Sequence, residues 1–274
     1  MTAPRIFLAS DYGLDDEFVG VLHGVLARLA PDARVVDLAH GIAPFDVAGG
    51  AALLARAVPH LGPGVVVAIV DPGVGTLRRP VAIEVDGHGP RHLVGPDNGV
   101  LLGAAAALGG PRHAVALAAP DAAPGTTTFD GRDVFCPAAA KLATGATLAT
   151  LGAPVDVASL VALEPPVVRR RVLDDGRVAI TASVSWIDRF GNVQLSLAGV
   201  VLDGVSSAAL VARDHDAIVP VARTFAELDR GAIGVLRDAN DAVAIVVGEG
   251  SAASRLRVAV GDRVELIASF GPSR

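Results

Sequence analysis

Hydrophobic positions follow two different rhythms along this chain. Up to Leu163, short apolar runs alternate with longer stretches in which apolar residues recur every three or four positions. RIFLAS (5–10) reads as a strand and Asp15–Leu29 as an amphipathic helix; RVVDLA (34–39) and DVAGGAALLARAVPHL (46–61) repeat the pair. The clearest strand is GVVVAIV (64–70), because branched residues fill it between a glycine and Asp71. PVAIEVDG and RHLVGPDNG read as a hairpin around Gly87–Gly89. A helix in VLLGAAAALGG (100–110), a strand near Val115 and a helix from Arg132 to about Ala143 complete this part. Strands alternating with helices predict an α/β domain whose mainly parallel sheet is covered on both faces.

EPPVVRRR (164–171) interrupts that pattern and reads as a linker, which sets domains at 1–163 and 172–274. Beyond it come RVAITASVSWID, GNVQLSL, AALVARD, AIVPVAR, AVAIVV and RVELIAS, all β-rich and alternating. They predict a smaller antiparallel, β-barrel-like C-terminal domain.

Composition narrows the classes of function. The 274 residues are 51% hydrophobic with a mean hydropathy of +0.51, so a sizeable core is available. No window approaches the ~18 uninterrupted apolar residues of a membrane span, and the apolar stretch of MTAPRIFLASDYG is too short for a secretory signal. The lone Cys136 excludes an internal disulfide and fits a reducing, cytoplasmic location. Beside Phe135 in an apolar helical stretch, it reads as a small buried hydrophobe. A net charge of −6 with 4% aromatic residues argues against a nucleic-acid partner. The basic run Arg169–Arg170–Arg171 reads as part of the solvated linker.

Several chemical templates fail. Seven histidines show no metal-ligand spacing, and there is neither a G-x-S-x-G nor a phosphate loop ending in GK[ST]. Gly248, Gly250 and Ala253 have dinucleotide-fingerprint spacing, but too little chain remains after them for a βαβ unit. They read as a turn, or as a loop whose amides face a planar base. His23 and His40 read as structural or secondary contacts.

What remains is a set of polar residues just after strands: Ser10–Asp11, His40, Asp71 and Asp97–Asn98. A single acid in such a place is as readily a turn residue or helix cap. Several at one sheet edge mark a polar ligand site, because open α/β sheets bind ligands at the carboxyl ends of their strands. In VDPGVGTLRRP (70–80), Pro72, Gly73 and Gly75 permit a tight loop that returns Arg78 to Asp71. In TFDGRDVF (128–135), Asp133 suits a helix start, while Asp130 is more than a helix start requires.

SDYGLDD (10–16), HGIAPFDVAGGA (40–51), VDPGVGTLRRP (70–80), GPDNGVL (95–101), TFDGRDVF (128–135), IDRFGNV (187–193) and GSAA (250–253), in that order, resemble the S-adenosylmethionine (SAM) hydrolases. These are also called SAM hydroxide adenosyltransferases, and are relatives of the SAM-dependent fluorinase and chlorinase. The resemblance runs along nearly the whole chain. It implies an α/β domain, a barrel-like domain and a homotrimer with sites between subunits. The implied reaction is SAM plus water giving adenosine and L-methionine, without a cofactor, SAM being the substrate.

The family's Asp, Arg and His that position and activate water correspond to Asp71, Arg78 and, in the histidine's place, Asp130. Asp11 matches the acid holding the ribose hydroxyls, Asp16 a residue near the methionine end, and Phe45 an aromatic packing on the nucleoside. Asp188 matches the carboxylate meeting the methionine ammonium and Asn192 an adenine contact; Phe190 of the same motif joins the substrate-contacting set. Where the family has an Asn-Ser pair for the methionine carboxylate, the chain reads Asp238–Ala239–Asn240, leaving Asn240 as the candidate. Two other readings stay open here: a chlorinase-like halogenase, and a protein that binds SAM or adenosine with little turnover. A carboxylate aimed at the nucleophile disfavours a halide. The chain also lacks the insertion that the fluorinase carries between the hairpin around Gly87 and Asp97.

Overall fold

The structure is a computed structural model that describes residues 3–118, 128–213 and 215–270. The chain divides into two compact units, Met1–Leu163 and Glu164–Arg274.

In the first unit the elements run β1 (Arg5–Ser10), α1 (Phe18–Leu29), β2 (Arg34–Ala39), α2 (Val47–Ala57), β3 (Val65–Ile69), β4 (Pro80–Val85), β5 (His92–Pro96), α3 (Leu102–Ala107) and β6 (Pro111–Leu117). A π-helical turn (Gly131–Phe135), α4 (Cys136–Ala143) and β7 (Gly152–Val155) come next. One seven-stranded sheet has the order β2-β1-β3-β5-β4-β6-β7. Strands β2, β1, β3 and β5 pair in parallel, and the β4–β5 hairpin begins an antiparallel extension through β6 and β7.

Alternation along each central strand sends side chains to both faces, and both are buried. Ile6 and Leu8 of β1, with Val65, Val67 and Ile69, pack with Leu22 and Leu26 of α1 and Ala139 of α4. Phe7 and Ala9, with Val66, Ala68 and Val70, pack with Leu54 of α2 and Ala104 of α3. Runs such as VVVAI are apolar at every position because neither face meets water. Cys136 lies fully inside the first layer, where burial pushes its thiol up to about 12.

In the second unit the order is β8 (Val168–Val172), β9 (Val178–Ile187), β10 (Val193–Ala198), β11 (Val205–Ala212), β12 (His215–Pro220), β13 (Ile233–Arg237), β14 (Ala242–Val247), α5 (Ala252–Leu256) and β15 (Arg263–Phe270). The ladder order is β12-β11-β15-β9-β10-β14-β13, with named strand pairs antiparallel. A bridge between Val221 and Val235 brings the two ends of that ladder together, so the sheet is nearly closed. Leu210, Val235, Val243 and Ile245 fill its interior. The Arg169–Arg171 run differs from the expected solvated linker: it lies in β8, paired with β9. Its side chains are exposed while its backbone is hydrogen-bonded, and charge on an edge strand blunts further pairing.

Asp97 also departs from expectation. Its buried carboxylate accepts from Arg79 Nε at 2.8 Å and from the Val161 amide at 2.8 Å. Arg79 Nη2 in turn donates to the Ser159 carbonyl at 2.6 Å. Asp97 therefore ties the end of the unit to β5 and is structural. We expect Asp97→Ala to destabilise this unit by about 3 kcal/mol, the lower end of the range for a broken buried ion pair, because Arg79 retains access to water. Denaturant midpoints of the two proteins measure it.

Candidate active site

In the parallel half of the sheet, β1 leads to β2 on one side, and β3 then adds on the other. The carboxyl ends of β1 and β3 therefore lie at the point where the strand order reverses, the usual ligand crevice of such sheets. Ser10 pairs with Ile69 across these two strands, and the Asp11 amide donates to the Ile69 carbonyl at 3.2 Å. Sheet pairing alone thus brings Asp11 beside the chain that leads to Asp71. Asn98 Nδ2 donates to the Val70 carbonyl at 2.8 Å and steers that chain as it leaves the sheet.

The loop after β3 returns Arg78 onto Asp71. Gly75 takes φ +75°, and a Cβ on Gly73 would lie 3.1 Å from Arg78 Cγ, so the arginine stem folds across a position kept bare. Arg78 Nε donates to Asp71 Oδ1 at 2.9 Å, and Nη2 donates to Asp71 Oδ2. The same Nη2 donates to Asp130 Oδ2 at 2.5 Å. One guanidinium thus bridges two carboxylates from segments far apart in sequence. All three side chains are largely shielded, at 7%, 8% and 11% exposure for Asp71, Asp130 and Arg78. Burial alone pulls the Arg78 guanidinium down, but hydrogen bonds and charge from Asp71, then Asp130, outweigh it and hold it above its ordinary value. Phe135 stacks beneath, with its ring centroid 5.4 Å from Arg78 Cζ.

Asp130 reaches this position because it opens the π-helical turn ahead of α4. Asp133 lies in the first turn and pairs with Arg132 at 2.7 Å on the exposed side. Gly131 keeps φ negative, so its role is space: a Cβ there would lie 2.8 Å from the Tyr12 hydroxyl and 3.1 Å from Ile69 Cδ1.

Tyr12 is the residue that motif reading passed over. It packs with Phe18 and Phe129, at ring separations of 5.2 and 5.7 Å, along one wall of the site. Burial raises its phenol above the ordinary range, and Asp11, Asp71 and Asp130 add to that, so the hydroxyl stays protonated. Its place in SDYG, between a candidate ligand and a glycine, was the available signal.

Asp11 Oδ2 accepts from the Phe45 amide at 2.9 Å. Phe45 has φ +67°, a left-handed conformation that is a true outlier for an aromatic residue, and its ring is 72% exposed. Asp16 is exposed on the bend ahead of α1. The other four candidates belong to the second unit. Asp188 accepts from the Phe190 and Asn192 amides, both at 2.9 Å, and from Asn192 Nδ2 at 2.8 Å. This closes a turn that leaves Phe190 74% exposed. Asn240 is exposed, with its amide on Asp238 Oδ1 at 2.8 Å. Among the described residues no group of three or more His, Cys, Asp or Glu is arranged to hold a metal ion.

The SAM hydroxide adenosyltransferase family matches this chain in two parts, its N-terminal domain over residues 6–152 and its C-terminal domain over 182–265. A Salinispora arenicola protein named (R)-S-adenosyl-L-methionine hydrolase is 48% identical over 269 residues, 97% of this chain and 99% of its own. A Thermus thermophilus protein of the same name is 39% identical over 272 residues, 96% of this chain and 99% of its own. The crystal structure of an uncharacterized conserved protein from Thermotoga maritima superimposes with a TM-score of 0.84 at 28% identity, covering 95% of this chain and 99% of that one.

Gly131→Ala tests the packing of this site. The added methyl meets Tyr12, Ile69 and Leu22, all held by the core. We expect a loss of about 1–3 kcal/mol, the usual cost of overpacking, read from thermal unfolding.

Proposed function

This chain belongs to the SAM hydroxide adenosyltransferase family, and we propose that it cleaves the (R) epimer of S-adenosyl-L-methionine with water, giving adenosine and L-methionine. Its hydrolase relatives, full-length and up to 48% identical, support the substrate. The observation that carries the residue assignment is the bridge from Arg78 to both Asp71 and Asp130.

The chemistry asks little of the enzyme and is exacting about geometry. Water attacks the 5′ carbon in line with the C–S bond, and a neutral thioether leaves a sulfonium without needing a proton. The protein therefore has to hold one water opposite sulfur, accept its proton as the new C–O bond forms, and keep other water away. Asp71 is the acceptor in this reading. Its two oxygens are pinned by Arg78, so the carboxylate turns toward a single direction. Asp130 takes the place at which the family pattern carries histidine, and Arg78 holds it as a second acceptor for the water. At the nucleoside end Asp11 accepts from the ribose diol, with Phe45 and Tyr12 as apolar walls. Asp16, Asp188, Phe190, Asn192 and Asn240 are further substrate contacts in this proposal.

A halide fits this place poorly. Two carboxylates share one guanidinium, which leaves a net negative charge, and repulsion of an anion in a shielded pocket is severe. Homotrimeric assembly, with sites at subunit interfaces, and a cytoplasmic location belong to the same proposal. The exposed Leu14, Phe45 and Leu77 on loops of the first unit, at 76%, 72% and 96%, support a neighbouring subunit as their cover. No helix of the described residues is long and apolar enough to cross a membrane.

Incubation with (R)-SAM, followed by chromatography of adenosine and methionine, tests the reaction. Asp71→Asn is expected to lower turnover by about 10²–10⁴-fold, the range for losing a positioned base, and Asp130→Asn to lower it as well. Undiminished turnover in both variants would sink the assignment, and 5′-chloro-5′-deoxyadenosine formed in chloride would favour the halogenase. Light scattering should give a particle of three 27.6 kDa chains; a monomer with full activity excludes the shared sites.

A further inference from the structure

A second polar chain runs beneath the turn that carries Asp11, buried at Ser10 and His40 and open to solvent at Asp37 and His23. Ser10 ends β1 with no exposed surface, and His40, just after β2, has 6%. His40 Nδ1 lies 2.7 Å from Ser10 Oγ, and His40 Nε2 lies 3.0 Å from Asp37 Oδ1. From α1, His23 Nε2 reaches the same Asp37 oxygen at 2.9 Å. The Tyr12 amide donates to Ser10 Oγ at 3.3 Å, and the Gly13 amide donates to the His40 carbonyl at 2.8 Å.

Serine, histidine and aspartate in this order are the parts of a nucleophile, but Ser10 Oγ is closed to any substrate. The arrangement instead sets the direction of each hydrogen bond. Asp37 as a carboxylate only accepts, so it selects the tautomer with hydrogen on His40 Nε2. Nδ1 is then an acceptor and takes the Ser10 hydroxyl proton. The serine oxygen in turn presents a lone pair to the Tyr12 amide. His40 thereby grips the turn twice, at Tyr12 through Ser10 and at Gly13 through its own carbonyl. Gly13 sits at φ +69°, so the turn is sharp and needs holding at both sides.

We propose that His40 is a positioning residue for substrate binding: through Ser10 and its own carbonyl it fixes the Asp11–Gly13 turn, and so the direction in which Asp11 meets the nucleoside. The inference rests on the proposed role of Asp11 as the diol acceptor. Because a diol contact is made equally in the ground and transition states, the consequence belongs to KM and not to kcat. The Arg78 bridge lies outside this chain of hydrogen bonds and is left intact when it is broken.

Michaelis parameters for (R)-SAM hydrolysis in Ser10→Ala, His40→Leu, His40→Asn, the Ser10→Ala/His40→Leu double variant and Asp11→Ala provide the test. His40→Leu should raise KM about tenfold with kcat changed less than about threefold, the signature of lost uniform binding. His40→Asn, which keeps an acceptor beside Ser10, should recover most of that loss. The double variant should be no worse than the more impaired single one, because both changes cut the same chain. If His40→Leu does not fold, Ser10→Ala and His40→Asn carry the comparison. A fall in kcat at unchanged KM, additive losses in the double variant, or no rescue by asparagine overturns the proposal. Asp11→Ala separates it from its premise: an unchanged KM there removes the diol acceptor and the inference together. A raised KM in Asp11→Ala with none in His40→Leu or Ser10→Ala removes the inference alone.

Discussion

The Arg78 guanidinium between Asp71 and Asp130 is the interaction on which the site depends. Two carboxylates brought close in a shielded place repel each other, and a cation between them offsets that repulsion. Arg78 turns that repulsion into a shared geometry. Its donors form a rigid planar fork, so holding one carboxylate in position also fixes the other. Gly73 and Gly131 are the steric counterparts of this bridge: one clears the path of the arginine stem, the other lets the Asp130 turn approach Tyr12.

Topology explains why these groups meet where they do. Ser10 and Ile69 are register partners, so the chain leaving β1 and the chain leaving β3 emerge together at the reversal of strand order. The antiparallel extension through β4, β6 and β7 carries none of the bridging side chains. It serves the site by anchoring the far end of the loop: Arg78 turns toward Asp71, and its neighbour Arg79 turns toward Asp97. Adjacent residues on an extended chain point to opposite sides, and here each finds an acid.

That alternation also marks the limit of what the amino-acid pattern discloses. The β3 run, the helices on both faces and the return of Arg78 to Asp71 were legible, because each rests on local periodicity or on a short glycine loop. Asp97 looked like one of the site's acids because sequence shows that it comes after a strand, and not which arginine it meets. The Arg169–Arg171 run looked like a linker because exposed charge says nothing about whether the backbone beneath it is paired. Ser10, His40 and Asp37 were individually visible, but their alignment depends on β1 and β2 lying side by side. The left-handed turn at Phe45 had no signal at all, since aromatic residues rarely adopt it and the Asp11 carboxylate that accepts from its amide is distant in sequence.

The uneven charge of the bridge, two acids to one base, bears on the end of the catalytic cycle. The substrate arrives with a sulfonium cation, and the reaction erases that charge by leaving sulfur as a thioether. On the proposed assignment, the two acids and one base of the bridge attract the sulfonium of the substrate and have no such hold on the thioether of methionine. In the proposed reaction, loss of the sulfonium charge removes the attraction that drew the substrate in, and so favours departure of the thioether.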